Sequence, residues 1–250
     1  MTGAVFSMIL ADTARSQAYA QTFARRGLRA RSVAVVTSPD RHRYGQMPGR
    51  PDDFGSTQVN GVWLPDLSIP LMRTLEEISD DVSVIPAGSL NTDACVDWRR
   101  TDEAGVCVFS GFGGEIVRSP MLVAGPALLH AHSGLLPEYR GSTTVYYSLL
   151  NGDGCGVSVI ILDEDIDTGP VVARQSYPPP SEGVDLDYGF DPAIRADLLA
   201  DVVGDWLAAG GQFEEMAHQP DRGTTYYIVH PLLKALALER LADPSARPTR

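Results

Sequence analysis

The sequence predicts an α/β fold with a mostly parallel central sheet and a small mixed C-terminal extension. Three observations carry this. Short, largely apolar runs, Val5–Leu10, Ser32–Thr37 and Val106–Phe109, have the length and composition of strands buried on both faces. Between the first two lies a helical pattern, so strand, helix and strand follow within about 35 residues, a βαβ unit whose crossover is right-handed. The chain has 250 residues, 44% hydrophobic and 21% charged, the proportions of one large globular domain or of a domain with an appendage.

The elements follow in order. Asp12 or Thr13 caps the first helix, which carries Ala14, Ala18 and Phe23 on one side and ends near Gly27. The strand–helix turn Ala11–Ser16 has no glycine, which excludes the dinucleotide-binding fingerprint. Residues 38 to 66, rich in Pro, Gly, Asp and Arg, read as a long loop; its Arg41, His42, Arg43 and Arg50 suit either an anion clamp or a solvated basic surface. Leu71–Ile78 reads as a helix and Val82–Pro86 as a strand. After Val106–Phe109 comes Ser110-Gly111-Phe112-Gly113-Gly114, where Gly111 and Gly113 let backbone approach a ligand or simply turn the chain. Ser142 is placed to cap a helix that runs to Leu150 and stops at Asn151-Gly152. Val157, Val159 and Ile161 alternate in a strand, and Val171–Gln175 forms another. The Pro178-Pro179-Pro180 run divides the chain into a main domain, residues 1–178, and an extension, residues 179–250. The extension holds a helix from Asp191-Pro192 to about Ala209, a strand over Thr224–Val229 and a helix over Leu232–Leu241, with fraying from Asp243.

Several function classes are excluded. The net charge of -12 disfavours nucleic acid, whose phosphates need a basic surface. Nineteen arginines accompany a single lysine, Lys234, so a P-loop is absent and only one side chain is available for Schiff-base chemistry. Cys95, Cys107 and Cys155 are odd in number and widely spaced, which argues against a disulfide framework or structural zinc. No apolar run reaches a membrane span and no secretory signal opens the chain, so a cytoplasmic location is expected.

Chemistry concentrates between His130 and Pro170. His130 and His132, two apart in an extended segment, face one cleft, and Asp167 sits in a turn, Asp167-Thr168-Gly169-Pro170, that returns a carboxylate towards them. A carboxylate beside an imidazole orients it, and such a pair moves a proton from an attacking amine to a leaving group while the second imidazole donates to a developing oxyanion. That set of parts suits acyl transfer to an amine. The same three side chains also make a metal set with an open position, and satisfied structural histidines remain a third reading.

The run His-x-His-Ser-Gly-Leu-Leu-Pro-x-Tyr-Arg-Gly from His130, then Gly-Asp-x-x-Gly-Val-Ser and Asp-x-x-x-Asp-Thr-Gly-Pro, resembles the formyltransferase superfamily, which includes glycinamide ribonucleotide transformylase, methionyl-tRNA formyltransferase and the sugar N-formyltransferases. The resemblance is specific over residues 106 to 177 and limited to the βαβ pattern over residues 5 to 37. It implies a Rossmann-like fold, His132 as catalytic base, Asp167 as its orienting carboxylate, and 10-formyltetrahydrofolate as donor. The loop Asp163, Glu164, Asp165 and Ile166, with Gly111 and Gly113, would then receive the folate. The family carries Asn where this chain has His130, which takes the oxyanion role here. The acceptor implied is a small-molecule amine, an amino sugar nucleotide or amino-acid-derived compound, lined by Tyr139, Arg140, Ser142, Tyr146 and Tyr147, with no nucleic acid or membrane partner and a homodimer possible through an apolar C-terminal face. His230 reads as a cleft residue or a structural one. A folate-independent hydrolase or cyclase, metal-dependent through His130, His132 and Asp167, is the alternative, and a non-catalytic binding domain a further one.

Overall fold

The computed structural model describes residues 4–38, 57–213 and 223–242. Its centre is a seven-stranded sheet in which the short apolar runs of β1, β2 and β6 are wholly buried, while the edge strands β5 and β10 are partly exposed. In chain order its elements are β1 (Phe6–Ala11), α1 (Ala14–Arg25), β2 (Val33–Val36), β3 (Gln58–Val59), β4 (Val62–Trp63), α2 (Leu71–Ile78), β5 (Val82–Ile85), α3 (Asp93–Thr101), β6 (Val106–Ser110), α4 (Ser119–Val123), β7 (Leu128–Ser133), β8 (Tyr139–Gly141), α5 (Thr144–Asn151), β9 (Cys155–Ile161), β10 (Val171–Tyr177), a single π-helical turn (Leu186–Phe190), α6 (Asp191–Ala208), β11 (Thr224–Tyr226) and α7 (Pro231–Ala242).

The large sheet has the order β10-β9-β7-β6-β1-β2-β5. Strands β7, β6, β1, β2 and β5 are parallel, and β9 and β10 add antiparallel pairs at one side. The chain builds outward from β1 through β2 to β5, then returns to the other side of β1 with β6, so the sheet reverses direction between β1 and β6. Ligands of open α/β sheets bind beyond the strand ends at such a reversal.

Thr13 caps α1, its side chain accepting from the Ser16 N–H, as the sequence suggests. Helix α2 spans the expected residues, and α3 is an addition to the sequence-based reading. The loop read over residues 38 to 66 contains a small hairpin, β3–β4, turned by Asn60 (φ 53°) and Gly61 (φ 83°); the Asn-Gly pair supplies the two positive φ values such a turn needs. The basic cluster Arg41, His42, Arg43 and Arg50 lies outside the described residues, as does the segment from Asp243. Ser142 is not the cap of α5. Thr143 takes that position in left-handed geometry (φ 53°), while the Ser142 N–H donates to the Tyr226 carbonyl, so strand pairing claims the residue first. The strand expected over Thr224–Val229 stops at Tyr226 and pairs in parallel with β8.

One hydrophobic core joins both ends of the chain. Phe6, Met8, Tyr19 and Phe23 share it with Phe190, Ile194, Leu198 and Trp206 of the π turn and α6. The apolar face of α6 covers the same side of the sheet as α1, so the division at residue 178 is one of sequence and not of packing. A second cluster, with Ile9, Cys107, Phe109 and Leu128, fills the opposite side under α3 and α4. All three cysteines are free and buried. Among the described residues no helix is long and apolar enough to cross a membrane.

Phe190 is fully buried, so Phe190→Ala should lower unfolding stability by about 3–5 kcal/mol in a single transition. A chain truncated after residue 178 should show no cooperative unfolding by circular dichroism. A truncated chain that unfolds as sharply as the full one would contradict the shared core.

Candidate active site

β7 presents His130 and His132 on the face opposite α1 and α6. Alternation demands this, since their neighbours Leu129 and Ala131 are buried in the α1–α6 core. Beyond β7 the chain turns at Gly134 and at Leu136–Pro137, a cis peptide, and enters β8. Two segments flank the histidines: the glycine-rich run after β6, and the acidic loop between β9 and β10.

Asp167 holds this arrangement together. Its backbone is left-handed (φ 55°), a conformation Asp tolerates better than most residues. One carboxylate oxygen lies 3.3 Å from His132 Nδ1. The other accepts the Gly141 N–H at 2.7 Å. Two glycines make the approach possible. A Cβ on Gly169 would stand 1.8 Å from the Ile161 carbonyl oxygen, and one on Gly141 (φ 95°) would stand 2.0 Å from the Tyr226 carbonyl oxygen.

His132 is held at both nitrogens. Nδ1 faces Asp167, and Nε2 meets the Tyr139 carbonyl oxygen at 2.7 Å. A carbonyl only accepts, so that short contact places a proton on Nε2. Burial presses the ring towards its neutral form, while Asp167 and the Tyr139 carbonyl resist. In the neutral form the one basic nitrogen is Nδ1, and it looks at Asp167.

His130 is different. Nδ1 lies 3.4 Å from the Phe109 carbonyl oxygen, and the ring stands edge-on to Phe109, centroids 5.8 Å apart. The same argument puts the proton on Nδ1 and leaves the lone pair on Nε2. Burial, then Arg15, Arg195 and His132, hold this imidazole well below its ordinary range, against the Phe109 carbonyl. A neutral ring with a bare Nε2 accepts a proton. The oxyanion-donor part that the sequence assigns to His130 needs a proton on Nε2 instead.

The other site residues divide. Asp163, Glu164, Asp165 and Ile166 are exposed, and the Thr168 hydroxyl donates to Asp163 at 2.7 Å to close the loop. Gly113 opens onto empty space, whereas a side chain on Gly111 would collide with the Phe109 ring. Tyr139 and Tyr146 spend their hydroxyls inside the protein: Tyr139 donates to Asp153 and Tyr146 to Asp187 at 2.6 Å. Burial pushes both phenols up. The Tyr139 ring stacks on Tyr226, centroids 5.5 Å apart, which in turn stacks on Tyr147. What Tyr139 contributes to the site is its carbonyl. Arg140 is buried, Ser142 is tied to β11, and exposed His230 accepts the Leu232 N–H at the start of α7. Among the described residues no group of three or more His, Cys, Asp or Glu is placed to hold a metal ion, against the metal-dependent alternative through His130, His132 and Asp167.

Four side chains at the site escape the sequence reading. Arg15 donates through Nε to Ser110 Oγ at 3.0 Å and through Nη2 to the Gly111 carbonyl. Arg195 pairs with Asp191 at 3.0 Å, and Asp191 accepts the Ser133 hydroxyl. Arg15 stands in the first turn of α1, just beyond the end of β1, the position from which open sheets contact ligands, a signal available had that segment been read for charge as well as for glycine.

A parallel sheet with an antiparallel edge, and a paired imidazole and carboxylate beside a glycine-rich strand end, define an α/β scaffold with an imidazole–carboxylate pair at the ends of its strands. Residues 5–179 match the family model described as formyl transferase, and the chain belongs to that family. A methionyl-tRNA formyltransferase of Myxococcus xanthus is 27% identical over 194 residues, 76% of this chain and 55% of the relative. One from Roseiflexus is 32% identical over 152 residues, 60% of this chain and 41% of the relative. The chain spans about half the length of the curated relatives it matches. Among solved structures, a sugar N-formyltransferase from Shewanella superposes with a TM-score of 0.59 at 15% identity, covering 95% of this chain and 87% of that one. Glycinamide ribonucleotide transformylase 1 from Symbiobacterium toebii does so with 0.55 at 17% identity, covering 87% and 96%. At these identities the likeness is one of fold.

The depressed basicity of His130 has a sign in stability. Below its ordinary pKa of 6.5 the unfolded chain takes a proton that the folded ring refuses, so this residue lowers stability as the pH falls from 6.5. In urea titrations between pH 7 and pH 5, His130→Asn should flatten the decline by up to about 1.4 kcal/mol per pH unit. An unchanged slope would mean the folded ring titrates normally.

Proposed function

We propose that the chain is an N-formyltransferase that places a one-carbon acyl group on the amine of a small molecule. The observation that carries this reading is the Asp167–His132 pair at 3.3 Å with neutral His130 beside it, on a formyl transferase scaffold. The proposed donor is 10-formyltetrahydrofolate, which supplies the activated formyl group. Two fold neighbours support it by their own ligands. The sugar 3-N-formyltransferase WlaRD was solved in the presence of dTDP and 5-N-formyl-tetrahydrofolate, and an N-formyltransferase from Helicobacter canadensis with folinic acid and dTDP-3-aminofucose. The residues present suit a flat, hydrogen-bonding heterocycle: Gly113 leaves its side open and the exposed Asp163–Ile166 loop offers main chain and carboxylates.

The chain's own groups divide the proton work. His130 Nε2 takes the proton from the acceptor amine, because its lone pair is bare and its ring is anchored by Nδ1. His132 Nδ1 is the second proton site. The amine proton passes from His130 Nε2 to the nitrogen that loses the acyl group, so the proton taken is the proton returned, while a proton on His132 Nδ1 stays between imidazole and Asp167 carboxylate. The Tyr139 carbonyl keeps the His132 ring from turning.

The proposed acceptor is a small amine, an amino sugar nucleotide or an amino-acid-derived compound. The net charge of -12 opposes a polyanionic acceptor such as tRNA. A cytoplasmic location belongs to this reading, and so does a homodimer through the exposed Ile228 and Leu232 (74% and 75% exposed).

The test is release of tetrahydrofolate from 10-formyltetrahydrofolate against a panel of amines. His132→Ala should lower kcat at least ~100-fold with an unchanged circular dichroism spectrum. His130→Asn should fall by a similar factor, because an amide donates a hydrogen bond but takes no proton. Near-normal turnover in His132→Ala would overturn the reading, and near-normal turnover in His130→Asn would return His130 to oxyanion donor.

A further inference from the structure

β8 is a strand of three residues, Tyr139–Gly141, and it supplies two of the backbone groups that fix the His132–Asp167 pair. The Tyr139 carbonyl oxygen accepts from His132 Nε2 at 2.7 Å, and the Gly141 N–H donates to Asp167 at 2.7 Å. Residues two apart in a strand turn their backbone groups to the same edge, so both bonds leave β8 on one side.

The other edge belongs to β11. The Thr224 N–H donates to the Glu138 carbonyl oxygen at 3.2 Å, and the Ser142 N–H donates to the Tyr226 carbonyl oxygen at 2.9 Å. The register sets Thr224 opposite Tyr139, Thr225 opposite Arg140 and Tyr226 opposite Gly141. Among the described residues β11 is the only strand paired with β8. So short a strand has too few hydrogen bonds to hold a line of its own, and the line it takes is set by its partner.

Tyr226 fastens that pairing. Its ring stacks on Tyr139 and on Tyr147, with centroids 5.5 Å and 4.4 Å away. Its carbonyl oxygen lies against Gly141, where a Cβ would stand 2.0 Å off. The chain that follows is tied down as well. The Val229 N–H donates to Thr143 Oγ1 at 2.8 Å, Lys234 pairs with Asp187, and Arg240 donates to the Leu150 carbonyl. Tyr226 lies outside residues 5–179, the part of the chain that matches the family model.

We infer that Tyr226 is a positioning residue of the site. Through β11 and its stacked ring it holds the Tyr139 carbonyl and the Gly141 N–H in place, and with them the orientation of His132 and Asp167. It acts through β8 and not on the reacting atoms. The inference rests on the formyl-transfer reading for its effect on rate, but its effect on the imidazole is read without turnover.

The experiment follows the His132 ring of the full chain by long-range proton–nitrogen NMR, without ligands, and measures tetrahydrofolate release in parallel. In Tyr226→Ala the His132 Nε2–H signal should shift and exchange faster with water. kcat should fall ~10-fold, with KM for 10-formyltetrahydrofolate unchanged, because a small displacement of an orienting group weakens the chemical step more than donor binding. Tyr226→Phe keeps the stacked ring and should recover most of both losses. A merely structural tyrosine would lower the thermal midpoint and leave the His132 signal and kcat at their wild-type values, and that result overturns the inference. A phenylalanine variant as impaired as the alanine one overturns it too, since the ring would not be the group that matters. Should Tyr226→Ala fail to fold, Tyr226→Leu decides: a His132 signal identical to wild type overturns the role. A Tyr226-dependent His132 signal in a protein that releases no tetrahydrofolate defeats formyl transfer and keeps the positioning role, whereas tetrahydrofolate release with a Tyr226-independent signal does the reverse.

Discussion

The Asp167 carboxylate is the constraint on which the rest of the site depends. It bridges two pieces of chain, the imidazole of β7 and the N–H at the end of β8. Because both oxygens are engaged, the loop between β9 and β10 has one place to lie, over the histidine face of the sheet. Gly169 and Gly141 admit that close approach. The Tyr139 carbonyl closes the arrangement from the other side, so His132 is fixed in orientation and protonation together.

With His132 so occupied, the free chemistry passes to His130. Its surroundings make it a weak base that stays neutral: burial first, then two guanidiniums and a second imidazole, oppose a proton on it. A weakly basic group still accepts a proton when the amine that releases it is becoming positive in the reaction, and it gives that proton up readily afterwards.

Much of the fold is legible in the sequence because it rests on local pattern. The βαβ start, the helix at Leu71–Ile78 and the alternating strand at Val157–Ile161 follow from periodicity and length, and His130, His132 and Asp167 stand out because a short spacing and a turn place them on one side. Other features depend on contacts far apart in the chain. Arg195 belongs to the site only because α6 packs on α1, and nothing within the helix itself announces this. Tyr139 and Tyr146 look like pocket residues by type, yet Asp153 and Asp187 draw their hydroxyls inward. The roles of the Phe109 and Tyr139 carbonyls are invisible to residue identity, since every residue has a carbonyl. The β3–β4 hairpin did carry a local signal, Asn60-Gly61, within a stretch whose composition reads as loop.

The central claim is that the two histidines hold their protons on opposite nitrogens, and long-range proton–nitrogen NMR correlation of the imidazole rings at pH 7 tests it most directly. The chain has five histidines, and single substitutions assign His130 and His132. The account predicts a neutral His130 with its proton on Nδ1 and a His132 that carries a proton on Nε2. A His130 ring that is protonated on Nε2, or charged on both nitrogens, would contradict it, and the proton-accepting role would then have no free nitrogen to perform it.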